Sequence, residues 1–268
     1  MEYDPLYGPI VSEKGWFPAP RYLLRRDRVL RLLKGLVPGK LLEIGCGAGT
    51  LIHEIHRLGF ECEGLESSPN ALEIARYIND KTIPLHQSPD LGWQDTFDYL
   101  FNFEVLEHIE DDSSALNTWL SWLKPGGMML MSVPAKMNRW TATDTWAGHY
   151  RRYERDDLNC LLKSVGFTVE HFESYGYPLA NLIAPIRAKT HARHLADRER
   201  DHETDMQSNT ALSGVERKTE AKLFPLMDSF PGRVIMRSSF WLQGKFTEYD
   251  VGDGYIVIAR KPGISSKR

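Results

Sequence analysis

The sequence predicts an α/β fold whose core is a parallel sheet with helices packed on both faces. Three observations predict it. Short apolar runs alternate with segments of helical periodicity from Leu41 to Val133, a turn carrying three glycines joins the first run to the first helix, and 268 residues at 42% hydrophobic suffice for one large domain or two small ones.

The elements follow in order. After a start rich in Pro and Gly, read as irregular, residues from about Arg21 to Leu36 place Leu23, Leu24, Leu30 and Leu33 at helical spacing, and Pro38-Gly39 ends that helix. Leu41 to Ile44 reads as a strand, Thr50 to Leu58 as a helix, Cys62 to Leu65 as a strand and Pro69 to Ile78 as a helix. Short strands near Ile83 to His86 and at Tyr99 to Phe103, a helix over Ser113 to Leu123, a turn at Lys124-Pro125-Gly126-Gly127 and a strand over Met128 to Val133 continue the pattern. A helix over Arg155 to Val165, a strand over Phe167 to Phe172 and a last strand over Tyr255 to Ala259 complete it. The roughly eighty residues between those last two strands exceed an ordinary loop and call for structure of their own. Within them Arg187 to Lys222 is dense in charges of both signs, read as solvated helix faces with a mobile loop around Asp205 to Ser213, or as a lid. Leu179, Leu182, Ile183 and Ile186 read as packing.

Lys and Arg number 33 against 36 Asp and Glu, a net charge of −3, which argues against nonspecific nucleic-acid binding. No apolar run approaches the roughly 20 residues of a membrane span, so no membrane insertion is expected. Met1-Glu2-Tyr3-Asp4-Pro5 lacks the basic start and apolar stretch of a secretory signal, so a cytoplasmic location is expected. Cys46, Cys62 and Cys160 have neither zinc nor redox spacing and read as reduced and structural.

In Leu41-Leu42-Glu43-Ile44-Gly45-Cys46-Gly47-Ala48-Gly49-Thr50 a buried strand turns into a helix through glycines that let backbone approach a ligand. Glu66 closes the next strand, where a carboxylate accepts from both hydroxyls of a ribose; the bland alternative is a charge ahead of the helix at Pro69. A nicotinamide fingerprint would put its third glycine at position 50, which is Thr.

The arrangement Glu43-x-Gly45-x-Gly47-x-Gly49 resembles motif I of class I S-adenosylmethionine-dependent methyltransferases. Phe103-Glu104-Val105-Leu106-Glu107-His108-Ile109 and Leu123-Lys124-Pro125-Gly126-Gly127-Met128 resemble the fourth- and fifth-strand signatures of that superfamily, so the likeness covers about Leu41 to Pro134. Gly148-His149-Tyr150-Arg151-Arg152-Tyr153 and Ser164-Val165-Gly166-Phe167 are similar to the segment before the sixth strand in a bacterial small-molecule subgroup, related in its motifs to ubiquinone-pathway O-methyltransferases. The resemblance implies a Rossmann-like seven-stranded sheet, mostly parallel with an antiparallel last strand. It implies a single domain over 1–268: an N-terminal helical cover (1–38), a cofactor-binding core (39–174), a cap or lid insertion (175–250) and the last core strand (251–262).

The cofactor it implies is S-adenosylmethionine. Glu43, Gly45, Cys46, Gly47 and Gly49 would line it, Glu66 and Ser67 would meet the ribose, Asp90 and Leu91 would flank the adenine, and Phe103, Glu104 and Leu106 would lie at the methionine end. An acid at Glu43 suits the cofactor's amino group, directly or through water. Glu104-x-x-Glu107-His108 also resembles a divalent-metal trio of some ubiquinone-pathway enzymes, but the same letters occur in methyltransferases without a metal, so metal use stays open. His108 and His149 are the candidate bases and Tyr150 a candidate substrate-site residue; Arg151 and Arg152 could clamp an anionic substrate or pin a helix start, and Trp140, Trp146, Tyr175 and Tyr177 add aromatic surface.

These residues imply methyl transfer to an oxygen, nitrogen or carbon of a small-molecule acceptor. Three readings compete: chemistry on another arm of the cofactor, such as intramolecular alkylation or elimination releasing methylthioadenosine; a nicotinamide oxidoreductase, disfavoured by Thr50; and a non-catalytic binding module on the same scaffold. The acceptor's identity and the oligomeric state, a homodimer included, stay open.

Overall fold

The computed structural model describes residues 1–79, 82–200 and 217–263. The chain opens with a hairpin, β1 (Glu2–Asp4) and β2 (Gly8–Ile10), in the stretch read as irregular; two three-residue strands are too short to show a period-2 pattern. Asp4 Oδ1 accepts from the backbone N–H groups of Leu6 and Tyr7 (2.7 and 3.2 Å), which holds the turn. Helix α1 (Pro20–Leu32) starts on a proline at its first position, where no intrahelical N–H is needed, and stops four residues short of Leu36. The N-terminal cover is thus a hairpin and a helix together.

The expected alternation then follows: β3 (Lys40–Ile44), α2 (Thr50–Arg57), β4 (Glu61–Leu65), α3 (Pro69–Asn79), β5 (Leu85–His86), β6 (Phe97–Phe103), α4 (Asp112–Trp122), β7 (Leu123–Pro134), α5 (Ala142–Ala147), α6 (Arg155–Val165) and β8 (Thr168–Tyr175). The cap supplies α7 (Leu179–Arg200), α8 (Lys218–Asp228) and α9 (Phe230–Gln243) before β9 (Gly254–Arg260). The loop expected around Asp205 to Ser213 lies outside the described residues.

Seven strands form one sheet in the order β5-β4-β3-β6-β7-β9-β8. Neighbours from β5 through β7 are parallel, and β9 runs antiparallel between β7 and β8. The strand order reverses at β3, so a crevice opens at the carboxyl ends of β3 and β6, the usual ligand site of such sheets.

Period-2 alternation splits the core into two. Leu41, Phe101, Phe103, Leu130 and Ile256 point to the face covered by Leu23 and Leu24 of α1, Ile52 and Ile55 of α2, and Met236 and Phe240 of α9. Leu42, Leu100, Met129, Met131, Val133 and Val257 point to the other face, under Leu116 and Trp119 of α4 and Leu158 and Leu162 of α6. Each fully buried side chain of this size contributes roughly 1.5–3 kcal/mol.

The Lys124–Gly127 turn is instead part of the extended β7. Phe97 pairs with Leu123 and Tyr99 with Met128, so four residues bulge opposite the single Asp98, with Gly126 in the left-handed region (φ 80°). Strand β8 continues to Tyr175, into the range assigned to the cap. On α7 the expected packing of Leu182 and Ile186 is corrected. They are 71% and 69% exposed, because four-residue spacing puts both on the helix side away from buried Ala180. Among the described residues no helix is long and apolar enough to cross a membrane.

Candidate active site

At the end of β3 the chain enters α2 through Gly45, Gly47 and Gly49, all left-handed with φ of 67°, 55° and 72°. The N–H groups of Gly45 and Cys46 both donate to Leu65 O (2.7 and 3.1 Å), tying the turn to β4. A Cβ on Gly45 would stand 2.5 Å from Val105 Cγ2, and one on Gly49 2.9 Å from Ala75 Cβ, so these two glycines serve internal packing. Above Gly47 there is nothing within 4 Å: this is the glycine whose Cα faces open space.

Glu66 is fixed beneath that opening. Its Oε2 accepts from Gly47 N–H (2.9 Å) and its Oε1 from Ser68 N–H (2.8 Å), leaving each oxygen a further lone pair for a ligand hydroxyl. Ser67 beside it is exposed, and Cys46 is buried with its thiol pushed up by burial and kept neutral. Glu43, one turn of strand earlier, is buried with Oε2 lacking any hydrogen-bond partner, and burial pushes its carboxyl up to about 8. An open glycine face, a carboxylate poised for hydroxyls and an orphaned acid together fit a nucleoside bearing a cationic amino-acid arm. Asp90 and Leu91, the expected adenine flank, lie in the loop after β5. Leu91 is fully exposed, and Asp90 is exposed with Oδ1 accepting from Gly92 N–H (2.7 Å).

Phe103 ends β6 buried, and Leu106 is buried in the short 3₁₀ turn Leu106–His108. Between them Glu104 sits at φ 61°, a left-handed conformation a glutamate rarely adopts without compensating bonds. Those bonds are present. Its carboxylate accepts from Arg21, from Ser132 Oγ (3.0 Å) and from Tyr175 OH (2.9 Å), with Arg25 Nη1 at 3.8 Å, and the two arginines hold it down at about 2 despite burial. With its oxygens so engaged, Glu104 is not placed with Glu107 and His108 as a metal trio.

A different cluster forms instead. Glu107, His108 and His149 each offer one donor atom within 4.8 Å of the others. Glu107 is completely buried, neither carboxylate oxygen has a hydrogen-bond partner, and burial beside the negative Glu104 pushes its carboxyl well up. The His108 and His149 rings meet edge to face at 4.7 Å, and burial with the neighbouring His149 lowers His108 to about 4, so it is neutral at pH 7. His149 Nδ1 lies 3.0 Å from Asp144 Oδ1 and its Nε2 lies 3.9 Å from Glu107 Oε1. Asp144 is fully buried and held well below the usual carboxylate range by His149 and Arg152, hence ionised. Tyr150 is 40% exposed, and its backbone N–H donates to Glu107 O (2.8 Å). Arg151 is engaged by Asp112 and Glu110 O, and Tyr153 OH reaches Asp112 Oδ2 (3.0 Å), so both pin this segment.

Sequence reasoning missed Arg21, Arg25, Ser132 and Asp144, and read Tyr175, whose hydroxyl donates to Glu104, only as aromatic surface. A signal existed for three of them: Arg21 and Arg25 sit four apart on an otherwise apolar-faced helix, and Thr141-x-x-Asp144 is a capping box at the start of α5. Trp146, read as aromatic surface, stacks on His191 of α7 at 4.2 Å.

A family model for the methyltransferase domain matches residues 19–172, more than half of the chain. The ubiquinone biosynthesis O-methyltransferase of Alkalilimnicola ehrlichii is 32% identical over 118 residues, 41% of this chain and 47% of that protein; its counterpart in Nitrobacter winogradskyi is 35% identical over 115 residues, 40% and 43%. The match thus spans about half the length of these curated relatives. Among solved structures, an S-adenosylmethionine-dependent methyltransferase from Mesorhizobium loti superposes with TM-score 0.55 at 19% identity over 91% of this chain and 98% of that one. The [4+2]-cyclase SpnF superposes with TM-score 0.56 at 18% identity over 88% and 81%. Fold, glycine turn and family match agree: the chain belongs to the methyltransferase domain family.

Proposed function

We propose that the protein is a soluble, cytoplasmic S-adenosylmethionine-dependent methyltransferase acting on a hydroxyl of a small-molecule acceptor. The observation that carries this reading is the Glu66 carboxylate latched to the N–H of Gly47, beneath the one glycine of the turn with open space over its Cα. Glu66 would hold the ribose hydroxyls, the Gly45–Gly49 backbone would admit the nucleoside, and Glu43 would face the cationic amino group, with Phe103 and Leu106 bordering the methionine end. When bound, the cofactor supplies an electrophilic methyl group on a cationic sulfonium.

The chain's own work is then positioning and proton removal. Asp144, ionised and buried, orients the His149 ring through Nδ1 and leaves Nε2 to take a proton from an acceptor hydroxyl. Neutral His108, edge-on to His149, adds no competing charge. The O-methyl choice is supported by this histidine–carboxylate pair and by the similarity to O-methyltransferases over the matched stretch.

Mass spectrometry of the released nucleoside tests the reading. S-adenosylhomocysteine is expected in the presence of an acceptor; methylthioadenosine would mean chemistry on the other arm, and failure to bind S-adenosylmethionine would leave only a scaffold. Calorimetry on Glu66→Ala should show cofactor affinity lowered at least about tenfold, the cost of losing charge-assisted bonds to the ribose.

A further inference from the structure

Beside this site a cavity of about 450 Å³ opens between α5, α7 and the start of β9, and its polar walls are Arg139, Arg152, Arg187, Thr141, Thr143 and Asn181. Asp253 is the acid in the wall, and it is already engaged, accepting from Arg21 and lying 3.4 Å from Arg152 Nη1. Arg152 spends its Nε on Asp144 (2.7 Å), and Arg139 donates to two neutral carbonyls, Gly252 O (2.6 Å) and Val251 O (3.2 Å). Among the described residues Arg187 has neither a hydrogen-bond acceptor nor a carboxylate within ion-pair distance; burial and the like charges of Arg21 and Arg152 oppose its own charge. Around the cavity three guanidinium groups, Arg139, Arg152 and Arg187, therefore meet two carboxylates, Asp253, which is shared with Arg21, and Asp144, which is shared with His149, while Glu220 acts on Arg187 from beyond ion-pair distance. Such an excess of positive charge in a partly desolvated space is stabilised by an anion, and guanidinium forks with hydroxyl donors match tetrahedral oxygens.

We infer that this cavity binds a phosphate group of the methyl acceptor, as a soluble ester or a lipid headgroup. Calling the ligand the acceptor rests on the proposed function; binding of the anion does not. The wall is wired to the reacting end by short paths: Asp253 through Arg21 to Glu104, and Arg152 through Asp144 to His149. A phosphate held there would fix the distance between the charged end of the acceptor and the His149 ring.

Calorimetric titration of the full chain with inorganic phosphate, and separately with glycerol phosphate, tests this. Saturable binding is expected, weakened at least about tenfold in Arg187→Gln and partly restored in Arg187→Lys, because a retained positive charge keeps one strong bond. Thr143→Val, which keeps the shape and removes a hydroxyl that also meets His191 Nδ1 (3.0 Å), should weaken binding by a smaller factor and serves if Arg187→Gln does not fold. Affinity for S-adenosylmethionine, measured on the same samples, reads the family function separately. Co-sedimentation with phosphatidic acid vesicles but not phosphatidylcholine vesicles assigns the phosphate to a lipid; binding of glycerol phosphate without co-sedimentation assigns a soluble ester. Absence of saturable phosphate binding by the wild-type chain, or equal binding by Arg187→Gln, overturns the inference.

Discussion

Glu43 shows what one buried acid does to the whole chain's response to pH. Its folded-state value, about 8, lies above the ordinary 4.5 because burial penalises the carboxylate, and Arg25 offsets only part of that cost. Between those two values the folded chain holds a proton that the unfolded chain has released, so stability falls as pH rises through that interval and levels off above it. Glu43→Gln removes the dependence. Relative to this variant, the wild type should lose melting temperature between pH 5 and pH 9, at roughly 2–4 °C for each kcal/mol; parallel curves would refute the assignment. A second residue-scale prediction concerns Asp144: Asp144→Asn should lower kcat about a hundredfold or more with S-adenosylmethionine affinity unchanged, since the amide no longer favours the same ring tautomer. Unchanged turnover would remove His149 as the base. The two cases differ in what the sequence makes visible. Glu43 and the glycines lie in one short segment whose spacing is itself the signal, whereas Asp144, Arg21 and Tyr175 reach the site from three distant segments, and the local patterns there, a capping box and a helix spacing, say nothing of a shared site.

At the scale of elements, the hairpin and α1 fasten to the sheet through charge as much as apolar contact. Arg26 and Glu54 are 4% and 5% exposed, and Arg26 donates through Nε and Nη2 to both carboxylate oxygens of Glu54 and through Nη1 to Leu6 O (3.2 Å), so a single pair joins hairpin, α1 and α2. Removing one partner leaves a buried unpaired charge. Glu54→Ala is therefore expected to cost about 3–5 kcal/mol in chemical denaturation, while Arg26→Met with Glu54→Leu together should recover most of the loss. A single variant as stable as the wild type would show that the pair carries no such constraint. Long elements such as α2, β6 and α6 were legible because their apolar spacing repeats. The hairpin and the β7 bulge were not, because three-residue strands and a Lys-Pro-Gly-Gly segment show no period and take their shape from Ile10 and Pro9 pairing across to Glu2 and Tyr3, and from Gly126 bonding to Lys261.

At the scale of the molecule, the insertion between β8 and β9 leaves and rejoins the sheet at one place. Asp253 N–H donates to Tyr175 O (2.9 Å), Asn181 Nδ2 to Val251 O (2.9 Å), and Gly176 N–H to the side-chain oxygen of Gln243 (3.2 Å). Such adjacent ends would suit a detachable domain, yet the packing argues for one folding unit. Met236 and Phe240 of α9 belong to the core beneath α1, and Gln243, 1% exposed, donates to Leu24 O (3.0 Å) and Asp27 Oδ2 (3.2 Å). From the other side Arg28 of α1 donates twice, at 2.9 Å, to Glu173 of β8. Replacing residues 178–250 with a short glycine-serine linker should therefore expose Leu23, Leu24 and Tyr7, lower the denaturation midpoint and raise binding of a hydrophobic dye, in contrast to excision of a true domain. A shortened chain with an unchanged midpoint and undiminished S-adenosylmethionine affinity would show the cap to be separable. The expected loss follows from α9 above all, because its Met236 and Phe240 are buried in the same cluster as Leu23 and Leu24 of α1 and leave with the cap.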